Sequence, residues 1–224
     1  MRPRFIITAT IATVAVAGVS HSCVALATSS IGLSIIKKIL IGGITSGVST
    51  FQNKEAFMSN SLIDQAMPSQ LRSINSTLTS LGLSNLVNKE KEYIAEAAAF
   101  TSKFAEPILI NGVNSLTTDD AARIAQGGSG IASQILREKT ESQLVAALAP
   151  EVDKKLNEFG IVKTINTALK GNNILGSLLG QNNNSTSASM LSNLASQQLV
   201  NGMFALITNY EKQNTDVLTN ALKK

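Results

Sequence analysis

The stretch SIGLSIIKKILIGGITSGVSTFQ, residues 30–52, decides the fold. Leu33, Ile36, Leu40, Ile44, Val48 and Phe51 recur at steps of three and four, the spacing that stacks side chains on one face of an α-helix. The pattern predicts an amphipathic helix from Ser30 to Gln52. Gly42, Gly43 and Gly47 lie inside it, and each costs about 1 kcal/mol of helix propensity relative to Ala. Glycines retained at that cost predict a close approach to another helix rather than a ligand site.

The same period continues along the chain. Pro68 stands where a first-turn proline is tolerated, ahead of Leu71, Ile74, Leu78 and Leu81, and Gly82 stops that segment. Ser84 reads as the N-cap of the next helix, which carries Asn88-Lys89-Glu90-Lys91-Glu92 on solvent, runs through an Ala-rich stretch to Phe104 and halts near Pro107. Thr117 or Thr118, followed by Asp119 and Asp120, opens another helix with acidic groups at its positive end. Gln126-Gly127-Gly128-Ser129-Gly130 breaks it. Thr140 and Gln143 read as a capping box ahead of Leu144, Leu148, Val152, Leu156 and Phe159, with Pro150 as a kink or restart. Gly160 closes that segment, Ile161 to Lys170 forms a shorter one, and Met190 to Tyr210 makes the last amphipathic run. Between them, residues 171–189 are rich in Asn, Gly and Ser, and they predict a mobile excursion within the domain. No period-two strand pattern occurs. Aromatic residues make up 4% of the 224, with no Trp. The core is therefore expected to be aliphatic, and the fold class all-α: one compact multi-helix domain over residues 28–224.

Residues 1–27 read as a leader. Arg2 and Arg4 precede an apolar run from Phe5 to Val19, the order of charge then apolar core that marks a secretory signal peptide. The run is shorter than the roughly 20 apolar residues that cross a bilayer core. Two exits compete. Ala25-Leu26-Ala27 suits ordinary signal peptidase and gives a free periplasmic protein, whereas Cys23 could become the lipid-modified first residue of a membrane-anchored lipoprotein. The only His is His21 and the only Cys is Cys23. A mature chain with at most one Cys forms no internal disulfide. Loss of Arg2 and Arg4 takes the 19 basic residues to 17 against 15 acidic ones, too even a balance for a nucleic-acid partner.

The central residues Ile124-Ala125-Gln126-Gly127-Gly128, then Ala132-Ser133-Gln134, then Arg137-Glu138-Lys139-Thr140, resemble the signature of the bacterial domain-of-unknown-function family numbered 4197. Gly47-Val48, Pro68 with Leu71, Leu81-Gly82-Leu83, Gly202-Met203-Phe204 and Glu211-Lys212 extend the resemblance over most of the mature chain. It implies an envelope location and no activity. Three positions depart from the pattern: Ser129 follows the Gly pair in place of an acidic or amide residue, Ile135-Leu136 replaces an aromatic, and Asn214-Thr215-Asp216 shortens the C-terminal stretch.

Candidate ligand-binding residues are Gly127, Gly128 and Ser129, whose backbone N–H groups could cradle an anion at a helix start, and Arg137. The turn lacks the Lys-Ser/Thr of a phosphate loop and follows no strand, so a plain interhelical turn is the simpler reading. Arg137 has Glu141 four residues on, the spacing of a surface ion pair. Without a His in the mature chain, hydrolase chemistry lacks its usual base, and a metal would have carboxylates alone, so no catalytic residue, metal or cofactor is expected. The expected function is binding without catalysis, to an envelope protein or to a lipid-like apolar ligand held between helices. The alternative is a hydrolase with a Ser–Lys or carboxylate site. Membrane contact is expected only through a lipid on Cys23 or an uncleaved leader.

Overall fold

The computed structural model describes residues 30–170 and 187–217. The leader, with Cys23 and Ala27, and most of the Asn-rich excursion lie outside the described residues.

The apolar stripe of residues 30–52 forms helix α1, Ser30–Gln52, and buries Ile36, Leu40, Ile44, Val48 and Phe51. By length and hydropathy α1 could also cross a membrane, but here its stripe is part of the protein core. Three short helices follow, α2 Lys54–Met58, α3 Ser61–Gln65 and α4 Ser69–Ser80, then α5 Ser84–Asn114, α6 Thr118–Gly127, α7 Ile131–Glu158, α8 Ile161–Lys170 and α9 Ser187–Gln213. The described residues contain no strand.

Four long helices carry the architecture. α1 packs on α5 and α9, and α7 packs on the same two, so the four close a ring. Neighbours run antiparallel. Gly42 lies against Tyr210 and Gly47 against Met203, while Gly112 lies against Thr140 and Ala105 shares a contact site with Leu144 and Leu148. The ring is an antiparallel four-helix bundle, and its centre is closely filled. A pocket bounded by Phe51, Ala105, Leu148 and Leu199 measures about 10 Å³, no more than one water would need.

The glycines of α1 do what their retention predicted. A Cβ on Gly42 would stand 2.6 Å from Tyr210 Oη, one on Gly47 2.7 Å from Met203 Sδ, and one on Gly43 3.3 Å from the backbone of Ile207. The Asp-rich helix start is also as expected: the Thr117 side chain caps α6 and Asp120 reaches back to the Thr117 backbone, a reciprocal pair.

Three expected boundaries shift. Leu83, not Ser84, occupies the N-cap of α5, and Ser84 is its first residue. α5 does not halt at Pro107. It runs on to Asn114, burying Leu109, Gly112 and Val113 on the stripe begun by Ala98 and Ala105. Thr140 starts no helix: it sits in the middle of α7, donating to Leu136 O at 2.7 Å, while its methyl group fills the space above Gly112. Pro107 and Pro150 both face solvent. There the carbonyl that loses its donor can be hydrated, and burial on the opposite face outweighs a helix cost of about 3 kcal/mol.

Because the backbone of Ile207 cannot rotate aside as a side chain can, Gly43→Val is expected to lower stability by about 1–3 kcal/mol or more through overpacking. A shift in the urea midpoint at unchanged slope measures it.

Candidate functional site

The glycine turn is shaped by its backbone. Gly128 and Gly130 have φ of 80° and 93°, values that L side chains rarely adopt, and between them the chain reverses from α6 into α7. At the start of α7 the N–H groups of Gly130, Ala132 and Ser133 converge, as they do at any helix N-terminus that lacks a cap. All three donate to one carboxylate, that of Glu211, at 2.9, 3.2 and 2.8 Å, and the Ser133 hydroxyl donates to it as well. The anion that this turn is built to hold is thus a side chain of the same protein, delivered by the end of α9. Glu211 is 1% exposed. Backbone donors and the positive end of the helix compensate the charge that burial would otherwise penalise. Ser129, beside it, shares a hydrogen bond with Thr215 at 2.9 Å. Gly127, Gly128 and Ser129, expected as the anion's donors, instead form the turn itself: the Gly128 N–H donates to Ile124 O at 3.2 Å, and the carboxylate is held by the residues that follow.

Arg137 lies two turns along α7 from that joint. Its Nη2 donates to Glu141 Oε1 at 2.5 Å and to Asn201 Oδ1 at 2.6 Å, and its guanidinium stands 5.4 Å from the centre of the Phe204 ring. The expected ion pair with Glu141 is present, and Arg137 holds the Glu141 carboxyl below its usual range. Glu138 and Lys139 are engaged elsewhere, with Arg123 at 3.1 Å and Asp120 at 3.0 Å.

Between the joint and Arg137 an open groove of about 660 Å³ runs along the α7–α9 seam. Its wall on α7 is Gly130, Ser133, Gln134 and Arg137, on α9 it runs from Asn201 to Lys212, and Leu62 and Ala66 from the α3 region close one end. Asn201 to Lys212 covers roughly 16 Å at 1.5 Å per residue. Phe204 and Ala205 give the groove an apolar floor, with Arg137 toward one end and Lys212 toward the other. No carboxylate lines it. Three of the five guanidinium N–H groups of Arg137 have no acceptor among the described residues, and Lys212 makes no ion pair among them.

A second polar cluster lies away from the groove. Glu90, expected on a solvated face, is fully buried, and Asn75 Nδ2 donates to its Oε2 at 3.1 Å. The same amide lies 3.9 Å from Met67 Sδ. Glu90 Oε1 and Asn75 Oδ1 are both buried without a hydrogen-bond partner. Burial pushes the Glu90 carboxyl up to about 7, against the opposing pull of the Asn75 donor and the Lys91 charge.

Of the residues singled out from sequence, only Arg137 faces the groove as a side chain with donors to spare. Glu211, Asn201, Phe204 and Glu90 were not singled out as site residues. Glu211 stood in the family-like Glu211-Lys212 pair, and Glu90 sat in a charged run whose period places one member inward.

Fold and site together define an all-helical four-helix-bundle protein with a basic, amide-lined surface groove and no gathering of three metal-ligating side chains among the described residues. The chain belongs to the family described as Protein of unknown function (DUF4197), whose model matches residues 27–218. No curated protein and no solved structure matches it significantly.

Glu211→Gln keeps the side chain's shape but turns an NH₂ toward helix N–H donors. It is expected to cost about 2–3 kcal/mol, the range for a hydrogen-bonded buried charge, read as a lowered denaturation midpoint.

Proposed function

We propose that the protein acts by binding rather than by catalysis, in the envelope of the cell that exports it, and that its site is the α7–α9 groove. The carrying observation is Arg137: the guanidinium is braced by Glu141, Asn201 and the Phe204 ring, yet keeps donors to spare beside an apolar floor. A cation fixed in this way is set up for a ligand or partner group that joins an anionic head to an apolar body. The absence of carboxylates from the lining and the position of Lys212 at the other end favour the same charge. The filled bundle centre argues against an apolar ligand held among the core helices, so the surface groove carries the reading. An apolar N-terminal run of the kind found in signal sequences supports export.

Catalysis finds less support in the groove. Its one serine, Ser133, donates its hydroxyl hydrogen bond to a buried carboxylate that three backbone N–H groups also hold. That arrangement neither exposes the oxygen nor activates it.

Three probes with one apolar body separate the possibilities: octanoate, octanol and octylammonium, titrated into isotope-labelled protein. Octanoate is expected to give saturable shifts at Arg137 Nε–H and the Phe204 ring, octanol weaker ones and octylammonium none. Arg137→Gln should remove the preference for octanoate over octanol. Equal response to all three, or none at the groove, overturns the reading.

A further inference from the structure

Glu90, Asn75 and Met67 lie on a path that leads to the groove. Asn75 belongs to α4 and Glu90 to α5, so their contact ties the short-helix segment 54–80 to the bundle. The Asn75 amide also approaches Met67 Sδ. One residue back, Ala66 O accepts from Asn201 Nδ2 at 3.3 Å, and Asn201 Oδ1 accepts from Arg137 at 2.6 Å. Ala66 and Leu62 themselves close the groove's end.

The two unpartnered atoms of this cluster belong to groups that already share a hydrogen bond, and both are acceptors. One hydrogen placed between them would serve both. A carboxylic acid and a primary amide pair as a ring, with the amide N–H donating to one acid oxygen and the acid O–H donating to the amide carbonyl. Ionised, the same carboxyl leaves two buried oxygens without donors, an arrangement that costs free energy at each.

We propose that Glu90 is a carboxylic acid in the closed protein, that its proton closes a ring with Asn75, and that losing this proton loosens segment 61–75 and with it the α3 wall of the groove.

The surrounding charges do not substitute for that proton. Lys91 follows Glu90 on α5 but pairs with Asp64 at 3.5 Å on the exposed side. Arg72, on α4, is turned to the carbonyls of Asp64, Gln65 and Met67. α9 presents the neutral Gln198, which lines a pocket with Met67 and Lys91 and whose Oε1 is likewise buried without a hydrogen-bond partner. A carboxyl raised from 4.5 to about 7 has the sign that this requires. The folded state holds the proton longer than the unfolded one. Its stabilising effect is complete below pH 4.5, declines as pH rises and is gone above about 7.

The test uses the full mature chain. The ¹³C carboxyl resonance of Glu90 is expected to titrate near neutral pH, and amide exchange across 61–75, corrected for intrinsic rates, to accelerate at least tenfold between pH 5 and 8. Glu90→Gln retains the ring with an NH₂ in place of the acid O–H. It should match the wild type at pH 5, melt higher than the wild type at pH 8 and show pH-independent exchange. A Glu90 midpoint below 5.5, flat exchange in the wild type, or the same pH-dependent exchange in Glu90→Gln overturns the proposal. The wild-type titration decides even if the variant does not fold. The step from wall to groove rests on the binding reading and is read separately: octanoate affinity should fall severalfold from pH 5.5 to 8 in the wild type, but not in Glu90→Gln. If octanoate fails to bind at all, the groove reading falls, while carboxyl and exchange data still judge the proton.

Discussion

A single buried carboxylate sets the relation between the second half of the bundle and its surface. Glu211 spans 78 to 81 residues of sequence to reach the start of α7, and with it α9 is fixed antiparallel to α7 at a defined register. Without it, the N–H groups of Ala132 and Ser133 would be buried with no acceptor, and each would cost about as much as a hydrogen bond gives. The register in turn opposes Arg137 to Asn201 and Gly130 to Lys212, and the groove is the space left between those faces. Apolar packing supplies the bulk of the stability, but it is non-directional. The carboxylate selects which turn of α9 meets which turn of α7.

Small residues play the matching part on the other side of α9. Gly42, Gly43 and Gly47 let α1 approach until backbone and side chains of α9 touch it directly. α9 is therefore held between a close apolar contact on one flank and a polar clasp at its end. Each constrains a different degree of freedom, distance in the first case and axial position in the second.

The helix faces were legible in the sequence because they depend on spacing within about thirty residues. The α1 stripe, the Thr117–Asp120 cap and the glycine stops are all local features, and they stand where their residues put them. Pro107 and Thr140 misled because local propensity was weighed without burial. Once both prolines face solvent, the core face carries the helix through. The site was harder to read for a related reason. Arg137 could be named from its charge and its (i, i+4) neighbour, but Asn201 and Phe204 join it only through tertiary contact. Glu90 sits among Lys89, Lys91 and Glu92; its steps of three from Val87 and four to Ile94 place it on the buried face, but its partner Asn75 lies on another helix and joins it only through tertiary contact. The glycine turn was legible as a turn, but the donors to Glu211 are Gly130, Ala132 and Ser133 rather than Gly127, Gly128 and Ser129, and the carboxylate they meet lies beyond the reach of a local motif.

The clasp at Glu211 also has a consequence for how the chain is assembled in time. A polypeptide is made from its N-terminus, so α1, α5 and all of α7 exist before residue 211 does. Until then the first turn of α7 has only water for its donors, and the seam that forms the groove has one side. Closure of the bundle is therefore a late event that joins residues distant in sequence, and such contacts slow folding.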